Sequence, residues 1–356
     1  MKIIPRLQRE LENIYRTNIY NWDKKKRIKL YNFFLYNLNK HHYLSCDIYQ
    51  KITDVSLHDF KSTKIEELPF LPIEIFKKYS LSSLGENTKF NYLLSSGTSG
   101  QRSKIVLDRI TSINQSKTLL KILSSYFGEE KYSLLIIDRK FQKGDTYSAS
   151  NVGMLGFSLM ALEKFYCYDK NNKLNEKEIK AFIKSKNKKK IVFGFTSKVW
   201  AFFNDSKFLK KQINFNGITL VHGGGWKKMK DSEVSKKYFD ETLKKKYNFL
   251  NILNYYGLVE QTGSIFFQCK LHRHFHTTIF SDIIIRDKNF ISVNKKKGIV
   301  QLISLLPFSY PGHNILTQDV GEIIGEDNCS CGIKGKYFKI YGRVQNSEIR
   351  GCSDSI

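Results

Sequence analysis

Apolar residues recur at helical spacing through the first eighty or so positions. Leu7, Leu11, Ile14 and Tyr15 share one face, and so do Leu30, Phe33, Phe34 and Leu38; a period near 3.6 predicts helices there. The run Leu68, Pro69, Phe70, Leu71, Pro72 breaks the pattern, because a proline disfavours helical geometry in the residue before it. From Tyr92 the pattern changes to short apolar runs bounded by glycine clusters. Runs at 92–94, 134–137, 191–193, 218–221 and 249–254 predict strands, and helical patterns at 111–127 and 231–247 lie among them. Such alternation predicts an α/β arrangement. Beyond Phe280, runs at 282–286, 298–304, 321–324 and 337–340 predict further strands separated by turns. The expected organisation is a helical lead over 1–87, an α/β core over 88–280 and a β-rich portion over 281–356, with no internal repeat.

Composition narrows the class. A chain of 356 residues can bury a large core, and 41% hydrophobic with 14% aromatic residues excludes a disordered chain despite 26% charged ones. The longest apolar stretch, 154–162, falls short of the roughly 20 residues that span a bilayer. The basic start, Met1 to Arg6, leads into polar sequence rather than the apolar core of a signal peptide, so a cytoplasmic protein without a transmembrane segment is expected. The net charge of +26 is spread over short lysine runs at 24–26, 188–190, 244–246 and 295–297. With no nucleic-acid motif present, that field favours small anionic ligands, and no nucleic-acid partner is expected. Six cysteines, Cys46, Cys167, Cys269, Cys329, Cys331 and Cys352, in such a chain point to metal or catalysis rather than to disulfides.

The sharpest local feature is the run Ser95, Ser96, Gly97, Thr98, Ser99, Gly100, Gln101, Arg102, Ser103, Lys104, directly after a predicted strand. Glycines and small hydroxyl residues let backbone N–H and side-chain O–H groups converge on an anion. Arg102 occupies the place of the second glycine of a Walker A loop, so that motif is excluded. Three later segments sit at comparable places. His222, Gly223, Gly224, Gly225 and Trp226 follow the run 218–221; Tyr255, Tyr256, Gly257, Leu258, Val259 and Glu260 follow another apolar run; Thr317, Gln318 and Asp319 offer a carboxylate suited to ribose hydroxyls. Open α/β sheets bind ligands at such strand ends.

In that order these segments resemble the adenylate-forming superfamily, which includes acyl-CoA synthetases, and most closely the acyl-protein synthetase (LuxE-type) family. The likeness is carried by 95–104, by 222–226, by 256–263, by Ser309, Tyr310, Pro311, Gly312 and His313 on to Glu322, and by 347–354; it covers most of the chain from Leu68. The resemblance implies an α/β adenylate-forming large domain, with mixed sheets flanked by helices. It implies ATP and Mg²⁺ as cofactors and a carboxylic acid, such as a fatty acid, as substrate. Ser96, Gly97, Thr98, Ser99, Gly100 and Lys104 would hold the phosphates, Lys104 standing one place late against the family pattern. Gly223, Gly224, Gly225, Tyr256 and Gly257 would frame the adenine. Glu260 would bind Mg²⁺, Asp319 the ribose, and Arg343 would mark the hinge. Only thirteen residues follow Arg343, so the usual C-terminal lid domain with its lysine is expected to be absent, as in LuxE-type proteins. Arg102, Lys104, Lys227 and Lys228 are the candidates for its charge.

Cys329 and Cys331 form a tight thiol pair, and Cys269 lies seven residues before His276 with His272 and His274 between. Three thiolates and an imidazole suit tetrahedral zinc. Related phenylacetate–CoA ligase-type enzymes share this spacing, which selects His276 and implies a structural zinc. Cys352, beside Arg350 and Gly351, matches the cysteine that accepts the acyl group in the LuxE-type family; a neighbouring cation favours the thiolate that must attack. The expected chemistry is therefore adenylation of an acid followed by transfer to Cys352, with an acyl-accepting reductase as partner. The nearest alternative delivers the acyl group to coenzyme A or a carrier protein in a polysaccharide or secondary pathway. An alternative of another class is a non-catalytic, zinc-stabilised basic binding protein. The acid, the final acceptor and the oligomeric state are not legible in the chain.

Overall fold

The computed structural model describes residues 3–53, 64–95, 102–142, 149–205, 213–226 and 233–344. Along the chain the helices are α1 (Ile3–Tyr15), α2 (Lys24–Ser45), α3 (Asp47–Thr53), α4 (Ile75–Lys78), α5 (Arg109–Phe127), α6 (Ala149–Phe157), α7 (Glu176–Lys184), α8 (Thr196–Asp205) and α9 (Lys236–Tyr247). The strands are β1 (Leu71–Pro72), β2 (Phe90–Leu94), β3 (Lys104–Asp108), β4 (Tyr132–Arg139), β5 (Ala161–Tyr168), β6 (Lys190–Phe195), β7 (Thr219–Gly223), β8 (Asn251–Tyr256), β9 (Phe266–Phe267), β10 (Phe275–His276), β11 (Ser281–Arg286), β12 (Gly298–Ser304), β13 (Asn314–Glu326) and β14 (Lys336–Arg343). They form two compact units: one gathers Met1–Ser95, Gly100–Ile122 and Gly257–Glu348, the other is built on Leu123–Tyr256.

The first unit joins the helical lead to the C-terminal strands. Helix α1 buries Leu7, Leu11 and Ile14, the apolar face its sequence period marks. Helix α2 opens on Asp23, whose carboxylate accepts from Lys26 N–H at 2.9 Å, satisfying one of the amides a helix start leaves unpaired. Its buried face includes Tyr31, Phe34, Leu35, Leu38, Asn39 and His42. The main sheet runs β10-β14-β13-β12-β11, antiparallel throughout, with β1 parallel on β13. The predicted strand at 321–324 is part of β13, which starts at Asn314 and so takes Asp319 into the sheet rather than a turn. Strands β2 and β3 form a separate antiparallel hairpin.

The second unit has a parallel sheet in the order β5-β4-β6-β7-β8. Helices α7, α8 and α9 cover one face, where Ile179, Phe182, Val199, Phe202, Phe203, Phe239 and Leu243 pack with Leu135, Val192, Leu220 and Ile252. Helix α6 packs on the other, with Phe157 stacked on Phe193 at 4.2 Å. This strand order reverses direction between β4 and β6, and in open α/β sheets that switch point, at the carboxyl ends of the strands, is where ligands bind. Strand β5, absent from the sequence expectation, is the sheet's edge. Its residues Leu162, Glu163 and Lys164 are exposed, so it lacks the continuous apolar run of a strand buried on both faces.

Candidate active site and Cys/His centre

The hydroxyl-rich run starts and ends on the β2–β3 hairpin. Ser95 N–H donates to the Ser103 carbonyl at 3.0 Å, and Ser103 N–H donates to Ser95 Oγ at 2.8 Å. These bonds hold Ser95 and Ser103, near the two ends of the run, side by side. Ser96, Gly97, Thr98, Ser99 and Gly100 lie outside the described residues, as do Lys227, Lys228 and Cys352. Lys104 opens β3 opposite Leu94 and is exposed.

Glu260 lies on a one-turn 3₁₀ helix, Val259–Gln261, and is only 4% exposed. A carboxylate that deep is unusual unless hydrogen bonds, charge partners or a cation compensate its desolvation. Tyr310, fully buried, donates its hydroxyl to the Glu260 carbonyl at 2.8 Å. Burial first, and then the Glu260 charge, push the Tyr310 phenol well above its ordinary value, so it remains a donor. The next residue back, Ser309, donates Oγ to Val106 of β3 at 2.8 Å. Residues 309 and 310 thus tie the strand leaving the hydroxyl-rich run to the Glu260 turn.

Asp319 and Arg343 are register partners on β13 and β14, and Arg343 Nε stands 3.6 Å from Asp319 Oδ1. The expected ribose carboxylate and hinge arginine are brought together. Gly257, also in the first unit, lies where a Cβ would come 2.9 Å from Ile265 Cγ2.

In the second unit the glycine turn is built by backbone. Strand β7 ends at Gly223, where a Cβ would run into the Tyr255 ring of neighbouring β8, and Gly224 has φ +74. Close approach and a left-handed backbone both select glycine. Thr196, first residue of α8, places its hydroxyl 3.0 Å from the Gly223 carbonyl and 2.9 Å from that of Gly224. The same oxygen is 2.9 Å from His222 Nδ1. With its proton given to the carbonyls, that oxygen accepts from His222 Nδ1–H. Tyr255 and Tyr256 close β8 rather than following it. At the switch point Lys198 of α8 pairs with Asp138 of β4 at 2.8 Å.

Cys269, His276, Cys329 and Cys331 converge, their ligand atoms all within 4.8 Å of one another. All but Cys331 are buried. Burial, then His274, lowers His276 to about 4, leaving a neutral imidazole at pH 7; its Nδ1 is buried without a hydrogen-bond partner among the described residues. Burial, reinforced by neighbouring thiols, pushes the Cys331 thiol up to about 12. The five described cysteines are free thiols. Three sulfurs and one imidazole gathered at this spacing could together hold a metal ion.

Glu260, Asp319, Arg343, Gly257 and the Cys/His set thus belong to the first unit, and Gly223, Gly224, Gly225 and Tyr256 to the second. Thr196 and Tyr310 have roles that sequence reasoning missed. Thr196 carried a signal, a hydroxyl directly after an apolar run and facing a glycine cluster's strand; Tyr310 bonds a residue 50 positions away, which no local pattern reports. Among the described residues no helix is long and apolar enough to cross a membrane.

Comparison with known proteins sets these features in context. Residues 8–356 match the family model described as acyl-protein synthetase, LuxE. The long-chain-fatty-acid–luciferin-component ligase of Aliivibrio fischeri is 24% identical over 340 residues, covering 91% of this chain and 85% of that protein. The protein of the same name from Vibrio harveyi is 21% identical over 352 residues, covering 94% and 89%. Among solved structures, an open conformation of 2-hydroxyisobutyryl-CoA ligase, in complex with its acyl-AMP and CoA, has a TM-score of 0.70 at 11% identity. That likeness covers 92% of this chain and 77% of the ligase. The same enzyme in its postadenylation state gives 0.69 at 13% identity, covering 91% and 69%.

Proposed function

Because the chain belongs to the LuxE acyl-protein synthetase family, we propose that its hydroxyl- and glycine-rich segments, Glu260 and Asp319 serve ATP, and that Cys352 receives the acyl group. The protein is an AMP-forming ligase: it activates a carboxylic acid with ATP as an acyl-adenylate and passes the acyl group on. The relatives' names point to a long-chain fatty acid as the substrate class. The observation that carries the site assignment is the buried Glu260, tied through Tyr310 and Ser309 to the strand that leaves the hydroxyl-rich run.

A carboxylate oxygen of the acid attacks the α-phosphorus of ATP; the bond to the β-phosphate breaks and pyrophosphate leaves. Ser96, Gly97, Thr98, Ser99 and Gly100 offer donors to the phosphates, and Lys104 opposes their charge. A carboxylate buried as Glu260 is suits a hard cation; Mg²⁺ held there would neutralise phosphate charge. Asp319 takes the ribose hydroxyls and Arg343 orients Asp319. The turn of Gly223, Gly224 and Gly225, with Tyr256, receives the adenine. The acyl chain lies at the switch point of the parallel sheet, flanked by α6 and α8. The Cys352 thiolate then attacks the acyl carbon, a thioester forms and AMP leaves. Cys269, His276, Cys329 and Cys331 would hold a structural zinc, since four protein ligands leave no open position for catalysis.

ATP–pyrophosphate exchange across aliphatic, aromatic and amino acids tests the first step, and acyl-labelling of the protein tests the second. Exchange is expected with a long-chain acid, and Cys352→Ser is expected to keep exchange while losing the labelled acyl-protein. Labelling that survives in Cys352→Ser would move the acceptor elsewhere, and exchange with no acid at all would defeat the whole reading.

A further inference from the structure

The Glu260 turn has only three residues, too few to be rigid through its own hydrogen bonds. It is held from outside, by the segment 309–313. Tyr310 donates to the Glu260 carbonyl, and in return Gln261 Nε2 donates to the Gly312 carbonyl at 2.9 Å and to Leu302 at 3.0 Å. A Cβ on Gly312 would lie 2.9 Å from the Glu260 oxygen, so that residue too is shaped around the turn. The holding segment is itself anchored on several sides. Ser309 N–H donates to Thr111 Oγ1 at 3.2 Å, Ser309 Oγ to Val106, and Ser83 N–H to the Ser309 carbonyl at 2.8 Å. His313 Nε2 meets Asn39 Oδ1 at 3.0 Å and its ring stacks on His42 at 5.0 Å. The Tyr310 ring packs edge-on against Phe76 at 6.1 Å.

We infer that Tyr310 is a positioning residue: its hydroxyl, through the Glu260 backbone, sets where the Glu260 carboxylate stands relative to the β2–β3 hairpin. The inference rests on the reading of Glu260 as the Mg²⁺-binding carboxylate. Groups that orient a metal ligand from behind contribute to metal affinity on a scale of about 10–100-fold. Tyr310 itself touches neither nucleotide nor acid in this arrangement. Its removal should therefore alter the dependence on Mg²⁺ and leave the acid's own binding alone.

Tyr310→Phe keeps the ring and removes the hydroxyl. In the full-length protein without added Mg²⁺ or nucleotide, and with the Cys/His centre left as isolated, amide exchange over 259–264 should accelerate by roughly tenfold, with α2 and β11–β12 unchanged. Calorimetric titration of ATP with Mg²⁺ should give an apparent Mg²⁺ affinity weaker by about tenfold, while KM for the acid in pyrophosphate exchange stays the same. Acceleration spread evenly over the first unit would mean a merely structural tyrosine and overturn the inference, as would unchanged Mg²⁺ dependence. Glu260→Gln separates the two layers. If it keeps wild-type Mg²⁺ dependence, the Glu260 reading falls; if it loses that dependence and Tyr310→Phe does not, only the positioning inference falls. Gln261→Met removes the reciprocal bond and repeats the test should Tyr310→Phe not fold.

Discussion

The turn at Gly223 and Gly224 in the second unit and the Glu260 turn in the first are short loops, each with a proposed part in nucleotide binding, built in opposite ways. The first is made by subtraction: side chains are missing where a Tyr255 ring comes close and where φ is +74, and one threonine hydroxyl binds two carbonyls. The second is made by addition: a phenol bonds the backbone carbonyl of the buried Glu260, the Gln261 amide bonds back to Gly312, and Ser309 ties that segment to β3. In the proposed roles, the one would supply shape for a planar, weakly polar group and the other a carboxylate for a cation. A backbone turn tolerates almost no added atom, whereas a side-chain turn tolerates changes of shape better than loss of a partner.

The largest expected effect lies with the charge-bearing unit. Removing metal with a chelator, or substituting Cys329→Ala, should cost the first unit several kcal/mol, on the reasoning that binding energy at a structural site is folding energy. The readout is metal content by mass spectrometry together with the unfolding midpoint; a metal-free protein of full stability would count against the centre. A smaller effect is expected from acid. His42 and His313 are buried and neutral, His313 lowered to about 3 by burial and then by His41, and His42 lowered well below its ordinary value by burial and then by His313. The unfolded chain binds protons that the folded one refuses, so stability is full above about pH 6.5 and falls as pH falls. Each histidine costs about 1.4 kcal/mol by pH 5.5. Urea titrations at pH 7 and 5.5, with His313→Gln expected to lose part of the slope, check it. The smallest stability effect, and the sharpest test of the contrast, is Gly223→Ala. One methyl against the Tyr255 ring should cost about 1–2 kcal/mol and weaken ATP binding. Wild-type ATP affinity by calorimetry would show that the turn is not shaped by close packing.

The parallel strands were legible because β4, β6 and β7 are largely buried and carry apolar runs, and β8 carries the buried pair Ile252 and Leu253. Strand β5 escaped because its outer edge takes Glu163 and Lys164. The extent of β13 was also hidden: Thr317, Gln318 and Asp319 form a polar interruption, the β12 ladder steps from Leu316 to Val320 across an irregularity there, and yet Asp319 pairs with Arg343 of β14. In such strands tertiary pairing overrides local preference. In the site, the thiols of the Cys/His set were legible from their pairing, and His276 was singled out among three neighbouring histidines by the resemblance to phenylacetate–CoA ligase-type enzymes. Tyr310 was not, because its partner is distant in sequence and a buried tyrosine looks like any other aromatic core residue. His42 and His313 likewise resembled ordinary helix and turn residues until the fold stacked their rings.

Strand β14 runs between two of the places described above. Near one end Tyr337 is the register partner of His276, and at the other Arg343 stands opposite Asp319. Its eight residues extend over about 24 Å. One rod of backbone therefore begins at the thiol cluster and finishes at the Asp319–Arg343 pair. On the proposed reading, a metal gripping the sulfurs would steady one end of that rod, and its far tip would hold Arg343 against the carboxylate proposed to meet ribose.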